Sequence, residues 1–157
     1  MAKVLARSRR GVMAAVGVLL AVTLLWSGIA TDHARAAAAA SRKDRMLVLT
    51  NEARADHGKK ALSMDARLSR YATRHSREMA KAGGLFHTAD LADKLKGRDW
   101  SMGGENVGVG SSLPDLQASF MASKTHRKNV LQRVFDHAAI GIVKSDGSLW
   151  VTVIFYG

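Results

Sequence analysis

The residues best suited to chemistry in this 157-residue chain are Glu105, His87 and His126. Glu105 stands in Gly103-Gly104-Glu105-Asn106-Val107-Gly108 and is the only acidic residue between Asp99 and Asp115. Glycine lets the backbone turn freely or lets another group approach closely, so the carboxylate sits in a frame unlike a charged helix face. One histidine lies upstream of it and one downstream. Two imidazoles and a carboxylate can hold a divalent metal with an open position or act as an acid–base pair. The spacing is not that of a local metal motif, so the fold must bring the three together. Ser123 lies three residues before His126, but no serine has a Gly-x-Ser-x-Gly context. The chain has no cysteine, which excludes a thiol nucleophile and disulfides. The glycines lack the lysine and the preceding strand of a phosphate loop.

The remaining histidines have plainer readings. His75 falls on the apolar stripe of a helix and reads as a packed histidine with one satisfied nitrogen. His57 and His137 stand beside turn-like positions and read as solvated. His33 lies in or beside an export segment.

The elements that must position these groups follow from periodicity. Arg42 to Asp56 reads as a helix, stopped by Gly58. Asp65 is suited to cap a second helix, whose stripe Leu68, Ala72, His75, Met79 and Ala82 runs to Gly83-Gly84. Asp90 to Lys96 has the length of one or two helical turns. Gly97 to Gly110 reads as a glycine-rich loop. Ser111-Ser112-Leu113-Pro114-Asp115 is a helix start; that helix runs to about Ser123, and another short one begins near Thr125. Ile140 to Val143 and Leu149 to Tyr156 read as strands, joined through Asp146-Gly147, a pair suited to a type I′ turn. Nearly every residue of the last strand is large and apolar, so both its faces should be covered. Helices first and strands last suggest a mixed sheet with helices on both sides.

Residues 1–36 read as a signal peptide or an uncleaved signal anchor. Lys3, Arg7, Arg9 and Arg10 form a basic start, Gly11 to Ala30 is uncharged, and Ala34-Arg35-Ala36 has the small-x-small form of a cleavage site. The apolar run has about the 20 residues that a membrane-spanning helix needs. Both readings place the domain outside the cytoplasm, secreted or anchored on the outer face of the cytoplasmic membrane. Residues 37–43 read as a linker and 44–157 as the domain. Five of the 24 basic and one of the 13 acidic residues precede residue 37, so residues 37–157 hold 19 basic and 12 acidic residues, a net +7. Such a surface favours anionic partners. The basic residues are spread over several helices with no aromatic platform between them, so no specific nucleic-acid partner is expected.

Residues 44–157 resemble the CAP superfamily (cysteine-rich secretory proteins, antigen 5, pathogenesis-related 1) in its cysteine-free bacterial form. The resemblance is carried by Asn51-Glu52-Ala53-Arg54 with Gly58 and Leu62, then Phe86-His87, Gly104-Glu105-Asn106-Val107, and Ser123-x-x-His126-Arg127-x-Asn129-Val130-Leu131. Gly141 and Trp150-Val151-Thr152-x-x-Phe155 close it. It implies an α+β fold, an α-β-α sandwich whose helices flank a small mixed or antiparallel sheet. It also implies a central cavity in which His87 and His126 match the family's histidines and Glu105 its acid. Some family members hold zinc through the histidines, and others bind sterols or fatty acids in separate grooves. The second family acid would fall near Ser123, and Phe120 replaces the usual tryptophan, so the tetrad is incomplete.

The expectation is therefore a monomeric exported CAP domain that binds rather than catalyses. Its ligand would be a divalent metal such as zinc, held weakly by His87 and His126, or a lipid, sterol or cell-envelope component. The cavity residues would be His87, Glu105, Ser123 and His126, with Asn106, Arg127 and Asn129 as structural support. Two alternatives stand beside it. One is a metal-dependent hydrolase in which His87 and His126 hold the metal and Glu105 activates water, with Glu105 and His126 the catalytic candidates. The other is a basic adhesion module for an anionic polymer or lipid.

Overall fold

The structure, a computed structural model, describes residues 37–39 and 42–157. The expected signal peptide or anchor at 1–36 lies outside the described residues. Residues 39–157 form one compact unit. Among the described residues no helix is long and apolar enough to cross a membrane.

The elements are α1 (42–56), β1 (Ser63–Met64), α2 (Ala66–Ala82), α3 (Leu91–Leu95), β2 (Gly103–Gly110), α4 (Leu113–Ala122), α5 (Lys124–Val130), β3 (His137–Ser145) and β4 (Ser148–Tyr156). The sheet has the order β1-β3-β4-β2. β1 runs parallel to β3, and the other pairs are antiparallel. Asp146 and Gly147 both take positive φ, 48° and 78°, as a type I′ hairpin requires.

β4 shows why the fold has three layers. Side chains alternate across a strand, and both sets are buried here. Val151, Val153 and Phe155 join one core with Met46, Leu116, Phe120 and Val130, under α1, α4 and α5. Ile154 and Tyr156 join the other with Leu68, Ala72 and Leu95, under α2 and α3. A strand so apolar must be covered twice, and the α-β-α sandwich expected from the sequence does this.

Two features hold the layers in register. At Gly141 an added Cβ would lie 2.0 Å from the Ala72 carbonyl carbon, so the backbone of α2 rests directly on β3. Asp65 caps α2 through the Leu68 amide and also accepts from Arg98 and the Tyr156 hydroxyl. Burial raises the Asp65 pKa, but these hydrogen bonds and the Arg98 charge outweigh it and hold the carboxyl below its ordinary value. Burial and the bond to Asp65 push the Tyr156 hydroxyl up to about 12.

One expectation is corrected. Gly97 to Gly110 is not all loop: Gly103–Gly110 is strand β2, paired with β4 along its whole length. Its glycines suited a loop by type, but they answer to packing. A Cβ at Gly104 would meet Asn129 at 2.8 Å, and one at Gly108 would meet Leu116 and Phe120 at 3.1 Å. The strand is stripped of side chains where α4 and α5 press on it.

Arg54 is buried with no carboxylate partner among the described residues. Its Nε donates to the Lys60 carbonyl, Nη1 to those of Val130 and Gln132, and Nη2 to that of Phe135. Burial lowers its pKa from the ordinary value, but a guanidinium stays charged in proteins. Arg54→Met should lower the unfolding free energy by about 3 kcal/mol or more, because four carbonyls lose a charged donor. Urea unfolding measures this, and a loss below about 1 kcal/mol would show that water replaces the guanidinium. Gly141→Ala should destabilise by about 3 kcal/mol or prevent folding. Gly84→Ala, where nothing lies within 4 Å, should change stability by no more than about 0.5 kcal/mol.

Candidate functional site

Glu105 occupies β2 and its side chain is only 4% exposed. Both of its oxygens accept hydrogen bonds. Oε1 accepts from the Thr88 backbone N–H at 2.9 Å and lies 2.8 Å from His87 Nδ1, and Oε2 accepts from the Thr88 hydroxyl at 2.6 Å. A carboxylate only accepts, so His87 Nδ1 carries the hydrogen. In the neutral tautomer this bond leaves Nε2 as the acceptor nitrogen. The His87 side chain is 62% exposed, so the buried acid orients an imidazole that stands at the rim.

His87 reaches this position because α2 stops sharply. Gly83 takes φ 64° and its N–H closes onto the helix, the left-handed cap that glycine supplies without strain. The chain then passes Leu85 and Phe86, both exposed. The rings of Phe86 and the buried His75 stand nearly perpendicular, with centroids 5.2 Å apart. His75 Nδ1 pairs with Thr152, and its Nε2 has no partner among the described residues. It therefore packs within the core with one satisfied nitrogen.

His126 comes from the opposite layer, on α5. Its ring tilts against Phe120 at 5.2 Å. Burial lowers its pKa from the ordinary 6.5, and the charge of nearby His87 lowers it further. Asparagines fix α5 to β2. Asn106 Nδ2 donates to the His126 carbonyl, while Asn129 Nδ2 donates to the Glu105 carbonyl and to Asn106 Oδ1. Arg127 donates to the Met121 carbonyl across the α4–α5 junction. Asn129 thus holds the backbone of Glu105 and leaves its carboxylate to Thr88 and His87.

Ser123 stands apart from this network. It is the extended residue between α4 and α5, and its hydroxyl pairs with that of Thr125 at 3.2 Å. Thr88 is the residue that sequence reasoning passed over. It supplies two of the three donors to Glu105 and accepts from the Tyr71 hydroxyl. Its position directly after His87 was the only signal, and a threonine in a loop has many other uses. Among the described residues no group of three His, Asp or Glu side chains has the geometry to hold a metal.

A family model described as the cysteine-rich secretory protein family, CAP, matches residues 47–155. The chain belongs to the CAP family. The protein YkwD of Bacillus subtilis (strain 168) is 33% identical to this CAP domain over 113 residues, 68% of this chain and 44% of YkwD. An extracellular protein containing a SCP domain from Bacillus anthracis str. Ames has a similar structure, with TM-score 0.64 and 25% identity. The match covers 74% of this chain and 40% of that one. The chain thus spans less than half the length of either relative. An outer surface protein from Borrelia burgdorferi shares the CAP fold at TM-score 0.66 and 16% identity, covering 74% of this chain and 92% of that one.

A lowered His126 pKa has a consequence for stability. The unfolded chain binds more protons at this residue than the CAP domain does, so its contribution is present above about pH 6.5 and is lost as pH falls toward the folded value. The melting temperature of His126→Gln should therefore drop less than that of the wild type between about pH 7.5 and about pH 5. An equal drop would show that His126 titrates alike in both states.

Proposed function

We propose that this CAP domain is an exported binding module whose cavity takes a divalent metal, weakly and reversibly, between His87 and His126. The observation that carries the reading is the division of labour at Glu105. All of its donors come from His87 and Thr88, so it serves as the outer partner that fixes the tautomer of a ligating histidine. Two imidazole nitrogens suit a borderline cation such as zinc, but they are fewer than the three protein ligands of a catalytic zinc site. The fit is to a loose, exchangeable ion. Export is supported by the basic, apolar start of the chain and by the descriptions of its B. anthracis and B. burgdorferi relatives as extracellular and outer surface proteins.

The same geometry weighs against hydrolysis. A Glu105 that activates water must receive its proton, and here the carboxylate already accepts three hydrogen bonds, two on Oε1 and one on Oε2. Ser123, turned to Thr125, supplies no second acid. Leu85 and Phe86 expose apolar surface immediately before His87, which favours a ligand with an apolar part, such as a lipid, at this rim.

Zinc titration with thermal melting tests the metal reading. A ligand that binds only the folded state at about 100 times its Kd stabilises by about 2.7 kcal/mol, a rise of several degrees. The wild type should show this dose-dependent rise and His87→Ala/His126→Ala should not. Glu105→Gln should bind about tenfold more weakly while remaining folded. The same rise in the double variant would place the metal elsewhere and remove the reading.

A further inference from the structure

The face of α2 opposite its buried one carries a second polar feature. Arg67, Arg70, Arg74, Arg77 and Lys81 follow at intervals of three, four, three and four residues, and all five are exposed. They form one helical stripe about 21 Å long, with a cation about every 5 Å. The sequence alone leaves basic residues spread over several helices; the fold also brings Lys94 and Arg98 against this stripe. Arg67, Arg70, Arg74, Lys94 and Arg98 surround Tyr71 in a groove of about 410 Å³. A second groove of about 380 Å³ continues it, sharing Arg67 and Arg98 and adding Lys96.

Among the described residues little neutralises this surface. Asp93 pairs with Lys96, and Asp65 is engaged by Arg98, Tyr156 and the Leu68 amide. Glu78 is the only acid on α2. Among the described residues Arg67, Arg70, Arg74 and Arg77 make no ion pair. Like charges three and four residues apart destabilise a helix, so a bound polyanion would relieve a repulsion built into the free protein.

We propose that this groove binds a linear, non-nucleic polymer of phosphate groups laid along α2. Four of the five stripe positions are arginine, whose planar fork pairs bidentately with phosphate. The short interval between cations matches a chain with a phosphate in every small repeat. An acidic polysaccharide with one carboxylate per disaccharide is too sparse. A single-stranded nucleic acid is bound best where an open aromatic face stacks its bases, and the Tyr71 ring here carries the Arg74 guanidinium at 5.6 Å and the Lys94 ammonium at 5.1 Å. A membrane surface is disfavoured because none of the large exposed apolar residues lines the groove. The inference does not rest on the metal reading of the His87 cavity.

Inorganic polyphosphate, titrated into the full-length chain over a range of salt concentrations, tests the proposal. Wild-type protein should bind it with steep salt dependence. Arg70→Gln/Arg74→Gln should weaken binding about tenfold or more and reduce the log Kd against log salt slope by about two. Lys128→Gln/Lys144→Gln removes the same charge from α5 and β3 and should change Kd less than about threefold. Both variants are exposed substitutions, and a melting curve establishes that each is folded. His87→Ala/His126→Ala should bind polyphosphate as the wild type does, even if it fails to bind zinc. Equal weakening by the two glutamine pairs would reduce the groove to net charge and overturn the proposal. So would tighter binding of single-stranded DNA or hyaluronate, or binding to anionic phosphatidylglycerol vesicles without binding to polyphosphate.

Discussion

The position of the site depends on a buried charge that has no counter-ion among the described residues. Arg54 enters from α1 and is held by four backbone carbonyls, one on the segment after its own helix and three between Val130 and Phe135. Val130 ends α5, where carbonyls lack helical partners. The guanidinium satisfies such a group and anchors the passage from α5 into β3. Asn51, one turn earlier, pairs both ways with the Leu62 backbone. Together they fix the chain that enters β1 and the chain that leaves α5. Since α5 carries His126 and Asn129, the anchoring of α1 sets where these two residues stand against β2.

The polar network around Glu105 contains two kinds of group with separate tasks. Asn106 and Asn129 bond to backbone and to each other, so they set the distance between β2 and α5. Glu105, Thr88 and His87 form a short chain from the interior to the rim, which Tyr71 extends to the outer groove of α2. Buried polar groups of this kind are costly unless fully bonded. Here each carboxylate oxygen of Glu105 has at least one donor, and His87 is the outermost member of the chain.

Much of this was legible in the sequence. The helices over 42–56 and from Asp65, the proline-started α4 and the type I′ hairpin each rest on a local signal. The doubly apolar β4 pointed to a covered sheet. β2 was not legible, because Gly104 and Gly108 look alike whether a glycine serves a turn or clears space for a helix on another part of the chain. β1 is two residues long and exists only as a partner of β3.

At the site the sequence supplied the types and not the bonds. The residues His87, Glu105 and His126 were identifiable because a lone carboxylate among glycines between two histidines is uncommon, and because their motifs match the CAP pattern. Tertiary structure decided that Glu105 spends its oxygens on His87 and Thr88 and that Ser123 lies outside the network. It also decided that the arginines of α2 meet Lys94 and Arg98 across one groove. Helical and strand periods are short-range properties of a chain, so sequence alone determines them. A hydrogen bond between residues 17 or 18 positions apart depends on how layers pack, and only the folded chain fixes that.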